Sequence, residues 1–346
     1  RGNGITTSWM GGLNGAFDLL DDDMELAGNY LYNGSSNYVE ETSSKVTFME
    51  NGSRLLNDNN GFSTTGSQGH RFGIRLDHKF SENSSILFEP QINFGSGSFV
   101  QHSDFSTRTA MGADTTNTNS GFNDNTGNNK NWTASGRMLY RQRLGKAGRT
   151  LSLNANYNFS NNDMTSFNQS LTLVDTNQDN QWDENKNIVN QKYLQNSKSS
   201  SLTGRLVYTE PIIENLYLEA SYQYSWSRSN STKDAFNSGT NEYGDGFIIF
   251  DPVGATRSEE YSNSILNENI NQRAGVTFSW QTDKLTAQLG AAANPTHTYN
   301  ETNGKTYESN VINWSPEARI RFYFNDYTNM QLNYNGRSSQ PSTSQL

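Results

Sequence analysis

The sequence predicts an all-β chain: a transmembrane, antiparallel, up-and-down β-barrel segment of about twelve strands. Three observations predict it. Apolar and polar residues alternate with period two in segments about as long as a tilted strand needs to cross a bilayer. The connections between these segments alternate short and long. The composition is polar yet aromatic-rich, with 32% hydrophobic and 12% aromatic residues and a mean hydropathy of -0.83. A disordered chain of this polarity would be poor in rings, whereas this one has 17 Tyr, 18 Phe and 6 Trp. Such a chain has something to bury or anchor, but little continuous apolar sequence to do it with. A wall with lipid on one side and a wet interior on the other meets both conditions.

The alternating segments follow one another along the chain. Phe72, Ile74, Leu76 and Phe80 alternate with Arg75, Asp77 and Lys79. Leu151, Leu153, Ala155, Tyr157 and Phe159 alternate with Ser152, Asn154, Asn156 and Asn158. Residues 216–226 place Leu216, Leu218, Ala220, Tyr222, Tyr224 and Trp226 on one face, and Tyr217, Glu219, Ser221, Gln223 and Ser225 on the other. Ala274, Val276, Phe278 and Trp280 repeat the pattern, as do Trp314, Pro316, Ala318, Ile320, Phe322 and Phe324, then Met330, Leu332 and Tyr334. Short connections are expected near residues 21–23, 81–84, 145–148, 212–215, 282–284 and 325–327. Long ones, rich in Asn, Ser, Thr, Gly and Asp, are expected over about 34–69, 97–130, 161–199, 229–270 and 297–312. Outer-membrane barrels have short periplasmic turns and longer external loops, which puts the long connections outside the cell. Residues 1–346 thus read as one barrel segment with long extracellular loops. A soluble β-sandwich also alternates, but its core would be richer in Val, Ile and Leu than these faces, which mix Gly and Ala with terminal aromatics. Trp132, Trp226, Trp280 and Trp314 fall near strand ends on the outward face, where an interfacial girdle is expected.

Other classes are excluded more directly. A net charge of -9 suits neither nucleic-acid phosphates nor a polybasic surface. Cys is absent, which removes disulfide and thiol chemistry. No apolar run is long enough for a transmembrane helix. Neither a signal peptide nor a plug is visible, so the gene product is expected to be longer at its N-terminus. Lipid and lipopolysaccharide of the bacterial outer membrane are the expected surroundings.

Several segments carry a resemblance. Asn29-Tyr-Leu-Tyr-Asn33, His70-Arg-Phe-Gly-Ile-Arg-Leu-Asp-His-Lys79, Asn313-Trp-Ser-Pro-Glu-Ala-Arg319 and the final Arg337-x-x-x-Pro341-Ser342-x-x-Gln345-Leu346 resemble the outer-membrane β-barrel family of TonB-dependent-receptor-like proteins from Bacteroidetes. The last stretch is the most specific of the four. The resemblance implies an N-terminal carboxypeptidase-regulatory-like domain, a plug that couples to TonB, and a barrel of around twenty-two strands of which this chain is the middle part. It also implies uptake of a nutrient across the outer membrane; other outer-membrane proteins or surface lipoproteins are further candidate partners, suggested by the loop content. A structural or accessory barrel whose loops grip partner proteins is the competing expectation.

The sharpest local motif is Asp175-Thr-Asn-Gln-Asp-Asn-Gln-Trp-Asp-Glu184. Asp175, Asn177 and Asp179 offer oxygens at positions 1, 3 and 5 of a Ca²⁺ loop, the Gln181 carbonyl suits position 7, and Asp183 suits position 9. Asn180 stands at position 6, where a glycine is usual. Lys186 stands at position 12 in place of the bidentate Glu, so this is not a full EF-hand loop, though Glu184 is a substitute. A solvated acidic turn is the plain alternative. His70, His78, His102 and His297 are dispersed without metal-like spacing, and no Gly-x-Ser-x-Gly elbow occurs, so enzymatic activity is not expected. Gly244-Asp-Gly246 before Phe247-Ile-Ile-Phe250 predicts a tight turn into a small strand packed on the barrel rim, or a patch for a partner.

Overall fold

The computed structural model describes residues 4–177, 179–181, 185–241, 243–244, 247–325 and 327–336. The chain is built from β1 (Ile5–Leu19), β2 (Met24–Phe48), β3 (Arg54–Ser81), β4 (Ser84–Met111), β5 (Asp114–Arg143), β6 (Thr150–Val174), β7 (Asn185–Ile213), β8 (Leu216–Asn237), β9 (Tyr243–Gly244), β10 (Phe247–Ile248), β11 (Thr256–Gln281), β12 (Leu285–Thr302), β13 (Lys305–Asn325) and β14 (Thr328–Asn335). Twelve of these form one sheet in which each strand lies beside its sequence neighbours, while β9 and β10 make a separate two-stranded hairpin between β8 and β11. All pairings are antiparallel, as hairpin connections require. Among the described residues β1 pairs only with β2 and β14 only with β13, so the sheet is open between its first and last strands.

The expected short connections are found at six places, including the tight turn at 20–23, where the Asp23 amide donates to the Leu20 carbonyl at 3.1 Å. The expected long loops are a different matter. They are mostly strand: 34–69 is the outer part of β2 and β3 around a turn at 49–53, and 97–130 is the outer part of β4 and β5 around a turn at 112–113. Likewise 297–312 closes on Asn303-Gly304, both at positive φ (49° and 79°), the geometry that suits Asn-Gly in a two-residue hairpin. The physical reason is that alternation reports burial, whereas pairing needs only backbone. Where both faces meet water, Asn, Ser and Thr occupy both, the period-two signal vanishes, and the ladder continues. β3 has 28 residues, roughly 90 Å at about 3.3 Å per residue. Even tilted, it overtops an apolar band of about 25 Å, so the outer halves of the strands project from the membrane.

Within the band the two faces separate as expected. Phe72, Ile74, Phe80, Ile92, Phe94, Trp132, Leu206, Val276, Phe278, Trp280 and Trp314 are large apolar residues exposed on one face. Rings and glycines share this face for a packing reason: the Trp9 ring lies so close over Gly34 that a Cβ there would sit 2.4 Å from it, and Tyr157 lies over Gly136 at 2.6 Å. Both glycines directly oppose or adjoin the ring they shelter under. His78 stacks edge-on to Phe80 at 4.5 Å and bonds the Asp23 carbonyl at 3.1 Å, a ring at the edge of the band held by the first turn.

Candidate functional site

The opposite face of the sheet carries charge. Arg75 of β3 reaches Glu25 of β2 at 3.3 Å, Asp77 at 3.4 Å and Glu89 of β4 at 3.5 Å. Glu89 in turn accepts from Arg137 of β5, its direct cross-strand partner, at 2.7 Å. The result is a belt of alternating sign across four strands. Two further pairs continue the character of this face: Arg205 with Glu219 at 3.7 Å between β7 and β8, and Arg273 of β11 with Glu317 of β13 at 3.7 Å, where Thr277 also donates at 3.1 Å. Glu25 and Asp77 oppose each other directly in the ladder, a repulsive placement that the Arg75 guanidinium bridges. These side chains are partly exposed, so each pair adds little stability. Their effect is to make the inward wall polar and nearly neutral locally.

Beyond the band, on the outward face, a row of rings crosses four strands. Tyr38, Phe62, His102 and Phe122 follow one another with centroids 6.5, 5.5 and 6.2 Å apart. His102 has both ring nitrogens engaged, Nδ1 with Asp124 at 2.6 Å and Nε2 with Asp104 at 3.1 Å. Partial burial by itself would lower its pKa. Hydrogen bonds and charge from Asp124 and then Asp104 outweigh this and raise it above the usual histidine range. With no free nitrogen, this imidazole is not placed to act as a base toward a neighbouring hydroxyl. The sequence hides the cluster because Asp124 is 22 residues away. Only the β4–β5 register, which sets His102 opposite Asp124, reveals it.

The row ends under the β9–β10 hairpin. Ile248 is buried against Phe122 and Leu171, with Leu173 and Ile188 beside them, and Phe250 meets Phe167 edge-on at 5.7 Å. The segment following Gly244 therefore packs on the outer wall, the first of the two expected roles. Asp245 and Gly246 lie outside the described residues.

Of the five candidate calcium ligands, four are described. Asp175 follows directly on β6 and is 5% exposed. Its Oδ2 accepts from the Asn180 amide at 2.8 Å, and its Oδ1 is buried without a hydrogen-bond partner. Asn177 Oδ1 accepts from the Asp179 amide at 3.0 Å, and Asp179 Oδ1 accepts from the Gln181 amide at 2.8 Å. Asn180 adopts φ 66°, the left-handed turn expected at position 6. The loop is clamped to β5: the Asp175 amide donates to the Thr118 carbonyl at 3.4 Å, and the Asn117 amide donates to Asn180 Oδ1 at 3.0 Å. Asp183 and Glu184 lie outside the described residues, as does the Arg337–Leu346 stretch. Among the described residues no three His, Asp or Glu side chains converge as a metal set. Of the described donors, only Asp175 and Asp179 are carboxylates.

Solved structures that match the chain include the outer membrane protease OmpT of Escherichia coli, at 14% identity and a TM-score of 0.22 over 85% of this chain and 96% of that one. The ferric-catecholate import receptor Fiu of E. coli K12 matches at 9% identity and a TM-score of 0.33 over 94% and 68%. The translocator domain of the autotransporter NalP from Neisseria meningitidis matches at 10% and 0.19 over 91% and 88%. No curated protein sequence matches significantly. The model of the outer membrane protein beta-barrel family matches residues 142–346, more than half of the chain, and with a twelve-stranded up-and-down sheet that is apolar outside and charged inside, the chain belongs to that family and resides in the bacterial outer membrane.

Proposed function

We propose that the chain forms part of the wall of a TonB-dependent-receptor-like importer that takes a bulky or scarce nutrient across the outer membrane. The observation that carries this reading is the inward belt Glu25–Arg75–Glu89–Arg137. A wall lined by partly hydrated, sign-alternating side chains suits a lumen that holds water or seats a polar plug. Both sheet edges would face hydrocarbon unless further strands close the barrel, because unpaired backbone is not tolerated there. A plug and closing strands supplied elsewhere in the gene product belong to the reading, as does TonB as the partner.

The test uses the full-length protein reconstituted in planar bilayers and titrated with the C-terminal domain of TonB. The expected result is a pore that stays shut at rest and binds TonB. A steadily open pore, or a gene with no plug-coding segment, would sink the proposal. The projecting outer ladder with its outward ring row favours a second reading, an accessory barrel that grips surface lipoproteins or other outer-membrane proteins. Stoichiometric copurification of such subunits without TonB binding would decide for it.

A further inference from the structure

We infer that the loop after β6 is a Ca²⁺ site built by Asp175, Asn177 and Asp179 with the Gln181 carbonyl. The sequence spacing alone does not carry this, since Asp and Asn cluster in turns for their own reasons. The carrying observation is the Asp175 carboxylate. It is 5% exposed, it is turned into the loop so that Oδ2 receives the Asn180 amide at 2.8 Å, and its Oδ1 is buried with nothing to bond. A buried carboxylate oxygen without a partner is costly, and a hard dication is the ligand that satisfies it while drawing in the other oxygens. The position-6 residue closing on the position-1 carboxylate leaves one carboxylate oxygen for the backbone and one for the ion. Asn117 and Thr118 of β5 fix the loop from outside, through Asn180 and the Asp175 amide, so binding need not first order the whole segment. The ion would join the β6–β7 tip to the edge of β5 and stiffen the outer ladder. This rests on the loop alone and is independent of whether the barrel transports anything.

The experiment is calorimetric titration of CaCl₂ into the full-length, EGTA-stripped, lipopolysaccharide-free protein in detergent, alongside Asp175→Asn and Asp179→Asn. Heat-modifiable gel migration checks that each barrel is folded. The unchanged protein is expected to bind one Ca²⁺ in this loop with a Kd of about 10⁻⁴–10⁻³ M, the range of extracellular modules. Each variant should weaken that binding at least about tenfold, since affinity follows ligand charge. Ca²⁺ should also slow proteolytic cleavage of the 175–184 loop in the unchanged protein and not in Asp175→Asn, a comparison that stands even if Asp179→Asn fails to fold. No loop-dependent binding up to about 10 mM, well above that range, or equal binding in folded variants, would overturn the site.

Discussion

His102 shows what a single residue does in a ladder wet on both faces. Its imidazole bridges Asp104 and Asp124, and the rings of Phe62 and Phe122 lie on either side. Because those carboxylates raise its pKa in the folded chain, protonation favours the folded outer ladder. The contribution is complete below the unfolded value of about 6.5 and is lost as pH rises through the raised folded value. Amides flanking 102 and 124 should therefore exchange hydrogen faster at pH 8.5 than at pH 6, after correction for intrinsic rates, and His102→Gln should abolish that difference. An unchanged difference in the variant would assign it elsewhere. Histidine spacing gave no hint of this cluster, since its partners are brought in by register. The Asp175 loop is the opposite case: its oxygen-bearing side chains are neighbours in sequence, and only the burial of the Asp175 carboxylate needed the structure.

At the scale of the strand, the membrane-embedded part was legible and the projecting part was not, for one reason. Val276 and Trp280 alternate with Thr277 and Ser279 because one face meets lipid and the other water. By contrast Asn57, Asp58 and Asn60 pair with Thr107, Ser106 and Asp104, polar residues on both faces. The short turns were readable from Gly, Asn and Asp, since positive φ at Gly145, Gly148 and Asn215 is a local backbone demand. The two-faced wall makes a strand-level prediction. Val276 sits between Ala220 and Ala291, exposed near the middle of the apolar band. Val276→Arg should cost about 2–4 kcal/mol of stability in bilayers, the value for arginine at the midplane. Asn158→Arg, on the inward face between Ser135 and Ser201, should cost well under half of that. Urea unfolding of the full-length protein in lipid vesicles measures both, and comparable costs would mean the faces have been assigned the wrong way round.

The whole molecule has a direction, and its geometry fixes what each end meets. One set of hairpin tips, at 20–23, 82–83, 144–149, 214–215 and 282–284, sits close to the apolar band, while the other set stands at the ends of ladders such as β5, 30 residues long. Outer-membrane barrels have short periplasmic turns and longer extracellular connections, so the short set is assigned to the periplasm. The Asp175 loop and the ring row both lie on the tall side, which that rule places outside the cell. The absence of cysteine makes the orientation directly measurable. Glu50→Cys and Ala113→Cys place a thiol at exposed tips of the tall side, and Ala147→Cys and Asp283→Cys at exposed short turns. A membrane-impermeant maleimide applied to intact cells should label the first two and should reach the second two only after the outer membrane is opened. Labelling in the reverse order would turn the molecule over, placing the Asp175 loop and His102 in the periplasm. Extracellular calcium would then be irrelevant to the loop, and the outer ladder would become a surface for periplasmic partners.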